Sequence, residues 1–230
     1  MSAISIAPYF PFRRIKIVKQ TILTDINKAY IHTESDKRFH PVCYRCGKKA
    51  TATHSWTERT IRDLDLANTL VWITCRYRKL FCTECGHITI ENLDLFHPYL
   101  RVTHRLAFYI HQLCRFMTVS DVAKHVGLDW KTVKNIDKIH LEAQYAQPDL
   151  NDLEILAVDE IAIRKGHNYL TVVLDYRSGR IVYMGKDRKA KTLKRFFNQM
   201  TMKQRKSVKA IAMDMWDPFI NAVKKKYPMP

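Results

Sequence analysis

The amino-acid sequence predicts a multidomain protein of mixed α+β and α/β class, and three observations lead to this prediction. Two pairs of cysteines flank a strand-like segment near the beginning of the chain. From Thr103 to Glu142 the apolar residues recur at helical spacing, and no proline interrupts them. After a polar segment that contains Pro148, apolar runs rich in β-branched residues predict strands. We expect three domains, over residues 1–95, 96–147 and 153–230.

The composition indicates a polyanionic partner. The chain has 230 residues, with 39 Lys and Arg against 22 Asp and Glu, and a formal net charge of +17. Cationic side chains that neutralise phosphates release condensed counterions, so this excess favours nucleic acid, although a merely basic soluble protein would share it. No apolar run approaches the roughly 20 residues that span a bilayer, and the N-terminal sequence lacks the features of a signal peptide. We therefore expect an intracellular, reducing compartment and no membrane partner.

The paired cysteines predict a zinc site. Each pair has two intervening residues and a glycine after its second cysteine, and 35 residues separate the pair Cys43 and Cys46 from the pair Cys82 and Cys85. This spacing lets both thiolates of a tight turn face one ion, and zinc takes four such ligands. Paired cysteines inside cells more often bind metal than form disulfides. Reduced core cysteines and a redox dithiol are the alternatives.

Four thiolates complete a tetrahedral shell, so we expect a structural zinc ion with no open coordination position. Cys75 lies in the middle of the predicted strand from Val71 to Phe81 and is expected in the core. Three histidines are near enough to replace a cysteine ligand, but four thiolates make them unnecessary. They are His40, His54 and His87.

Residues 118–140 have the spacing of a helix-turn-helix. Ala123 is small where the two helices approach, Gly127 permits the tight turn, and Val133 packs the second helix on the first. The residues expected to cap the helices are Ser120 and Asp121 for the first and Asp129 for the second.

The second helix of this motif is the expected DNA-reading element. In helix-turn-helix proteins this helix lies in the major groove, with its N-terminal residues toward the base edges. Lysine suits phosphates or guanine, and asparagine suits adenine. A helical hairpin with a solvated basic face is the alternative, but the net charge favours DNA. The residues expected to contact DNA are Lys131, Thr132, Lys134, Asn135 and Lys138.

Two aspartates in apolar strands are the candidate catalytic residues. Asp159 stands within the run ILAVDEIAI, and Asp214 ends the run VKAIAMD. Carboxylates cost desolvation in such surroundings unless they are paired or bind metal, and Mg²⁺ prefers carboxylate oxygens. Paired metal ions clamp the attacking and leaving oxygens of a phosphodiester. Strand-end capping or a salt bridge is the alternative for each aspartate.

The order of the predicted elements favours the metal site. It runs strand with Asp159, strand, strand, helix, strand with Asp214, as at the start of an RNase H-like mixed sheet whose first and fourth strands are neighbours. A turn at residues 177–179 separates the second and third strands. From Tyr176 to Tyr227 there are fifteen Lys or Arg against three Asp or Glu, which suits a groove lined for phosphates.

The order of these motifs resembles bacterial insertion-sequence transposases of the ISL3 family. The resemblance lies in the cysteine pairs, the helix-turn-helix, the run VDEIAIRKGHNYLTVVLD and, most specifically, MDMWDPFINAVKKKYP. It implies a zinc-ribbon, a helix-turn-helix and an RNase H-like DDE domain, in a protein that binds insertion-sequence ends and performs strand transfer. It implies Asp159 and Asp214 as the first two ligands of catalytic Mg²⁺. The expected location is the bacterial cytoplasm, in association with the nucleoid.

The resemblance also implies a third acidic ligand, a glutamate on a later helix. Glu160 and Asp217 lie too close to the two aspartates to match that pattern. We therefore expect a C-terminally truncated transposase that binds DNA, with its own catalytic activity left open. Its protein partners would be further copies of itself or an intact transposase. The alternatives are a non-catalytic DNA-binding relic and a zinc-containing regulator, although a regulator has no need of the two aspartates.

Overall fold

The computed structural model describes residues 10–50, 52–164 and 168–226. The chain divides into two compact units, Met1–Ala143 and Gln144–Pro230. Within the described residues, each unit has its own β-sheet and its own helices, so the fold is multidomain α+β as predicted. The limits of the three predicted domains stay a prediction. No helix in this described part of the chain is long and apolar enough to cross a membrane.

The sheet of the first unit contains the strands β1 (Ile15–Leu23), β2 (Lys28–Ser35), β3 (Ala52–Arg62), β4 (Leu70–Cys82) and β5 (His87–Ile90). Their order is β1-β2-β4-β3, and β5 pairs with the last residues of β4. The pair β2–β4 is parallel, and the others are antiparallel. Val71, Ile73 and Cys75 of β4 are buried, which is the two-residue period of a strand with one face on a core. This strand is the one that the sequence predicts from Val71 to Phe81.

Three helices follow: α1 (His104–Cys114), α2 (Val119–Val126) and α3 (Trp130–Tyr145). The apolar residues that recur at helical spacing form the shared core of these helices, in which Ile110, Val122 and Val133 are fully buried. Gly127 ends α2 with a φ of 65°, a left-handed conformation that glycine adopts at little cost. The helix-turn-helix therefore forms where the sequence predicts it.

The capping residues of these helices differ in part from the prediction. The helix α2 begins at Val119, and its N-cap is Thr118, whose Oγ1 accepts a hydrogen bond from the Asp121 N–H at 3.2 Å. The expectation of Ser120 or Asp121 as the cap is wrong, because the helix begins earlier than either residue. Asp129 caps α3 as predicted, since its Oδ1 accepts a hydrogen bond from the Lys131 N–H at 2.9 Å.

The second unit contains the strands β6 (Ile155–Arg164), β7 (Asn168–Asp175), β8 (Ile181–Lys186) and β9 (Ala210–Met213), and the helices α4 (Ala190–Gln199), α5 (Met202–Ser207) and α6 (Asp217–Lys226). The strand order is β8-β7-β6-β9. The strands β6 and β9 are parallel, while β7 is antiparallel to both β6 and β8. The first and fourth strands of this unit are therefore neighbours, which is the predicted RNase H-like arrangement.

One face of this second sheet is covered by helices. Leu156 and Val158 of β6 pack with Phe196 of α4 and Phe219 of α6 in a buried core. The hairpin predicted at residues 177–179 joins β7 to β8. There the Gly179 N–H donates to the Asp175 carbonyl at 2.9 Å, and Gly179 has a φ of 69°.

Candidate metal centres and nucleic-acid interface

Two matching backbone turns bring four thiols together. In each, the N–H of the glycine that follows the second cysteine donates to the carbonyl of the first, from Gly47 to Cys43 and from Gly86 to Cys82, both at 2.9 Å. The two glycines have φ values of 70° and 66°, which other residues adopt only with strain. Each turn therefore directs its pair of thiols to one side.

The four cysteine sulfurs form a compact group. All four sulfurs of Cys43, Cys46, Cys82 and Cys85 lie within 4.8 Å of one another. The Sγ atoms of Cys43 and Cys85 are 3.9 Å apart, and those of Cys46 and Cys82 are 3.5 Å apart. A tetrahedron with Zn–S bonds of about 2.3 Å has edges of roughly 3.8 Å, so the geometry fits a zinc ion bound by four thiolates.

The sheet fixes the position of each cysteine turn. Cys82 is the last residue of β4, so the second turn is the tip of the β4–β5 hairpin. The first turn joins the same hairpin, because Cys43 forms a β-bridge with Glu91 and the Tyr44 N–H donates to the Ile90 carbonyl at 3.1 Å. The cluster is thus built onto the end of the sheet rather than held by a mobile loop.

The thiols of the cluster differ in pKa. Burial raises the pKa of Cys85, and, against the effect of the Lys48 backbone N–H, burial and the neighbouring thiols raise the pKa of Cys46 to about 11. The backbone N–H of Cys85 lowers the pKa of the Cys82 thiol to about 7, which favours the thiolate that binds metal. Burial instead raises the pKa of Cys75 to about 12, and this side chain lies in the core of the sheet. Cys75 is therefore an apolar core residue, as predicted. The alternative ligands His40, His54 and His87 are not members of the close group.

The residues predicted to contact DNA lie on one surface of α3. Lys131, Lys134, Asn135 and Lys138 are exposed, and Thr132 is half-buried. The apolar residues of the same turns, Val133 and Ile136, are fully buried in the helical core. The structure therefore places the five predicted residues away from the core, as the 3.6-residue period requires.

A polar contact fixes α3 against α1. The Nδ1 atom of His111 lies 2.8 Å from the Asp137 Oδ1 atom, and the His111 ring stacks on that of His140 at 5.0 Å.

Trp130, at the first position of α3, is half exposed, and its ring lies 5.8 Å from the Lys131 Nζ atom. Trp130 is not among the residues predicted from the sequence, although an aromatic residue at the N-terminus of this helix is a usable signal.

The two predicted catalytic aspartates lie side by side at one end of a parallel strand pair. Val158 of β6 is the registered partner of Met213 of β9. Asp159 and Asp214 follow these residues directly, so they stand on neighbouring strands that are about 4.8 Å apart. The order of elements in the sequence therefore predicts this pairing correctly.

Both aspartates face away from the helix-covered core. Val158 and Met213 contribute to that core, and successive side chains of a strand point to opposite faces. Asp159 and Asp214 are both exposed. Each accepts a hydrogen bond from the next backbone N–H, from Glu160 at 2.7 Å and from Met215 at 2.6 Å. The sequence predicts a desolvation cost for these carboxylates, because their neighbours in the chain are apolar. That cost is absent, because both carboxylates lie on the exposed face of the sheet and remain in water.

A third carboxylate lies next to this pair. Glu160 is half-buried, on the core side of β6. Burial raises the pKa of Glu160, Arg188 lowers it, and the negative charges of Asp159 and Asp214 raise it further. Its spacing from Asp159 does not match the third acidic position of the family pattern, and in the structure it lies on the opposite face of β6 from Asp159.

An arginine that the sequence argument missed also reaches this part of the sheet. Arg188 lies between β8 and α4, and its Nη1 atom is 3.8 Å from the Glu160 Oε2 atom. Its guanidinium carbon is 4.5 Å from the centroid of the Tyr169 ring and 5.0 Å from that of the Trp216 ring. Trp216 could have been found from its position two residues after Asp214, but no local pattern singles out Arg188.

Comparison with known protein families gives three consecutive matches. Residues 40–85 match the zinc-finger of transposase IS204/IS1001/IS1096/IS1165. Residues 91–139 match the helix-turn-helix domain of transposase family ISL3. Residues 156–230 match the DDE-type transposase model of the same family. The matched segments contain the cysteine cluster, the exposed face of α3 and the paired aspartates, respectively.

Curated relatives of the chain are also described as transposases of insertion-sequence elements. The chain is 37% identical over 174 residues to the transposase for insertion sequence element IS1001 of Bordetella parapertussis, an alignment that covers 76% of this chain and 43% of the relative. It is 25% identical over 196 residues to the transposase for insertion sequence element IS1557 of Mycobacterium tuberculosis, covering 81% of this chain and 42% of the relative. The chain thus spans less than half the length of these relatives.

Proposed function

The chain belongs to the ISL3 family of transposases, and from that premise we propose that it binds insertion-sequence ends and supplies two carboxylates for metal-dependent DNA strand transfer. The observation that carries the proposal is the register of β6 and β9, which aligns Asp159 with Asp214. A protein that only binds DNA has no use for two adjacent carboxylates on an exposed sheet face. The location that follows from such a partner is the bacterial cytoplasm, at the nucleoid.

We propose that the cysteine cluster holds one structural zinc ion. Cys43, Cys46, Cys82 and Cys85 supply four sulfurs at distances that suit tetrahedral coordination. Four protein ligands leave no position for water or substrate, so the ion would stabilise the end of the sheet rather than take part in catalysis.

We propose that α3 reads DNA in the major groove. Its exposed lysines, Lys131, Lys134 and Lys138, suit phosphates or guanine, and Asn135 can pair with adenine through two hydrogen bonds. The contact between Asp137 and His111 supports this role, because it holds α3 in a fixed orientation on α1. An insertion-sequence element has two ends, each with its own binding site. Two copies of the chain, or one copy with an intact transposase, could occupy both sites together.

At the strand pair, Asp159 and Asp214 would hold divalent cations, of which Mg²⁺ is the expected one. Both carboxylates are exposed and adjacent, which fits an ion that keeps several of its waters. Bound there, the ions would activate the attacking oxygen and stabilise the leaving oxygen of a phosphodiester. The protein residues would align the DNA strand and keep the two carboxylates at a fixed separation.

Asp159 and Asp214 are two of the acidic ligands that such a site needs. Two monodentate ligands rarely retain two Mg²⁺ ions, and the ISL3 pattern implies a third acidic residue. We propose that a further acidic residue completes the metal site formed by Asp159 and Asp214.

The decisive experiment is a cleavage assay. The substrate is an end-labelled DNA duplex that carries the inverted repeat flanking the gene, incubated with the full chain and Mg²⁺ or Mn²⁺. We expect tight binding and nicking at the repeat, with nicking lost in Asp159→Asn and in Asp214→Asn. Asp152→Asn is the matched control, because Asp152 is an exposed carboxylate outside the strand pair and asparagine tolerates its positive φ of 56°. Nicking that survives both aspartate substitutions contradicts the proposed site.

A further inference from the structure

The two helices that cover one face of the second sheet, α4 and α6, are strongly basic. Together they contain six Lys or Arg and a single carboxylate, that of Asp217 at the first position of α6. They pack against each other and against the sheet, and Phe196 and Phe219 are buried in the core between them. Because the apolar side chains of both helices face the sheet, the cations are expected on the outward surface.

The outward surface of these helices carries four exposed cations. Lys191 and Arg195 of α4 are exposed and lie four residues apart, so they share one face of the helix. Leu193, about half a turn away from both, is fully buried. Lys224 and Lys225 are exposed on the neighbouring helix α6. These four cationic residues are called the α4–α6 surface below.

The four cations of the α4–α6 surface form no ion pair with any carboxylate in the part of the chain that the structure describes. Elsewhere in this unit the cations are paired: the Arg177 Nη2 atom is 2.7 Å and the Lys209 Nζ atom 3.0 Å from the carboxylate of Glu154. A surface that serves only solubility carries interspersed charges of both signs. The α4–α6 surface instead presents positive charge that is available to an anionic partner.

The composition of this surface suits nucleic acid better than protein. The core of a protein interface is built from aromatic and aliphatic side chains, and lysine is depleted there. Among the described residues of α4 and α6, no large apolar side chain is exposed, whereas the opposite face of the same sheet exposes Ile161, Ile163 and Met184. Lysine and arginine are the side chains that neutralise DNA phosphates.

The α4–α6 surface and the paired aspartates lie on opposite sides of this unit. Val158 points into the core beneath the helices, so its neighbour Asp159 points to the open face of the sheet, as does Asp214. A helix with its side chains is about 10–12 Å thick, and the sheet adds to this separation. DNA resists sharp bending, since its persistence length is about 150 base pairs. A duplex at the aspartates therefore does not also lie on the α4–α6 surface.

We propose that the α4–α6 surface binds the phosphate backbone of a second DNA duplex while the duplex to be cut lies at Asp159 and Asp214. The position of the cut duplex rests on the proposed function. Contacts to the backbone carry no sequence information, so the second duplex is bound whatever its sequence. Strand transfer joins two DNA segments, and a chain that holds two duplexes keeps them close together.

The test measures whether the chain holds two duplexes at once. The full chain, with its zinc bound, is captured on an immobilised duplex that carries the inverted repeat flanking the gene, with Ca²⁺ in place of Mg²⁺ to suppress cleavage. A fluorescent duplex of unrelated sequence is then added over a salt series, and its retention is measured. We expect the parent chain to retain this second duplex, with an affinity that falls as the salt concentration rises.

Two double variants remove the charges of the surface. One combines Lys191→Gln with Arg195→Gln, and the other combines Lys224→Gln with Lys225→Gln. Each should weaken retention of the second duplex at least tenfold at about 0.1 M salt, because each lost phosphate contact removes about 0.9 from the slope of log affinity against log salt. Binding to the immobilised repeat should stay within about twofold of the parent chain.

The matched control combines Arg177→Gln with Lys209→Gln. It removes the same two charges from the same unit, but both groups are already paired with Glu154. Retention of the second duplex by this control should stay within about threefold of the parent chain. All substituted residues are exposed, and thermal unfolding shows whether each variant is folded.

Three results overturn the inference. If the parent chain retains no second duplex, or if both double variants retain it as the parent does, the α4–α6 surface does not bind DNA. If the control loses retention as strongly as the double variants, net charge rather than this surface is responsible. If a double variant loses the immobilised repeat together with the second duplex, one duplex contacts both sides of the unit.

Nicking separates this inference from the proposed function. If Asp159→Asn abolishes nicking while the double variants retain the second duplex, the strand pair is the active site and the inference is wrong. If Asp159→Asn leaves nicking intact, the proposed function fails. Loss of the second duplex in the double variants would then still identify the α4–α6 surface as a DNA-binding surface.

Discussion

Arg78 and Glu91 form a buried ion pair next to the four-cysteine cluster. The Arg78 Nε atom and the Ser35 Oγ atom each donate to the Glu91 Oε2 atom at 2.8 Å, and a second arginine nitrogen contacts the Glu91 Oε1 atom. Glu91 is also the β-bridge partner of Cys43. The pair therefore connects the last part of β4 to the segment that carries the first cysteine turn.

We predict that Glu91→Gln strongly destabilises the first unit. Removing one charge of a buried pair leaves the other without compensation, which typically costs about 3–5 kcal/mol. The free energy of unfolding in urea, measured with zinc present, gives the effect. Lys138→Ala is the control, since Lys138 pairs with Glu142 on the exposed surface of α3 and such pairs contribute only about 0.3–0.5 kcal/mol. Equal effects of the two substitutions would show that the Arg78–Glu91 contact does not stabilise the fold.

We predict one zinc ion per chain, held by the four clustered cysteines. Cys82→Ala removes a buried ligand from the end of β4 and should abolish zinc retention and unfold the cluster. Cys114→Ala, a half-buried cysteine outside the cluster, should keep about one zinc. Elemental analysis of the purified proteins measures both. A full zinc content in Cys82→Ala would mean that the metal is bound elsewhere.

Local rules account for most of what the sequence predicts correctly. The spacing of the cysteine pairs and the glycines after them set both turns, so the cluster could be expected before the fold was seen. The helical period likewise separates the exposed Lys134 from the buried Val133. The order of the strands gives the pairing of Asp159 with Asp214, because the first and fourth strands are parallel neighbours and each aspartate directly follows the last paired residue of its strand.

What the sequence could not predict depends on contacts between distant segments. The surroundings of Arg188 combine residues from β6, β7 and the turn after β9, and no spacing in the sequence encodes them. The exposure of both aspartates was also missed, since apolar neighbours in a strand do not show which face is covered by helices. The N-cap of α2 was misplaced because Thr118, Ser120 and Asp121 all have side chains that can cap a helix.

We predict that Cys75 resists alkylation in the folded protein. Burial raises its pKa to about 12, so at pH 8 only about one thiol in ten thousand is the reactive thiolate. Iodoacetamide labelling followed by mass spectrometry should modify Cys114 first, and Cys46 and Cys85 after a chelator is added. Cys75 should react only in denaturant. Its labelling together with the clustered cysteines after chelation would show that the core of the sheet opens when the metal is removed.

We predict two different DNA-binding defects from neighbouring residues of α3. Lys134→Ala should weaken binding to all sequences and make the salt dependence shallower, because lysine neutralises phosphate. Asn135→Ala should cost about 1–3 kcal/mol on the cognate repeat and little on unrelated DNA, if it pairs with adenine. Lys79→Ala, an exposed lysine of β4, is the control. Affinities for cognate and scrambled duplexes over a salt series measure these effects, and parental behaviour of both α3 variants would place the DNA on another face.

The final prediction is that the two exposed aspartates bind the metal ion and that the neighbouring glutamate does not. Asp159 and Asp214 share the open face of the sheet, whereas Glu160 lies on the core side near Arg188. We therefore expect Asp159→Asn and Asp214→Asn each to reduce Mn²⁺ binding by at least tenfold, since each removes one of two ligands from the same ion. Glu160→Gln should retain Mn²⁺ binding to within about twofold. Titration calorimetry with Mn²⁺, on the full chain with its zinc bound, measures all three. Loss of Mn²⁺ binding in Glu160→Gln equal to that in the aspartate variants would show that the carboxylate turns toward the ion and serves as a ligand, and the assignment of two carboxylates would then be wrong.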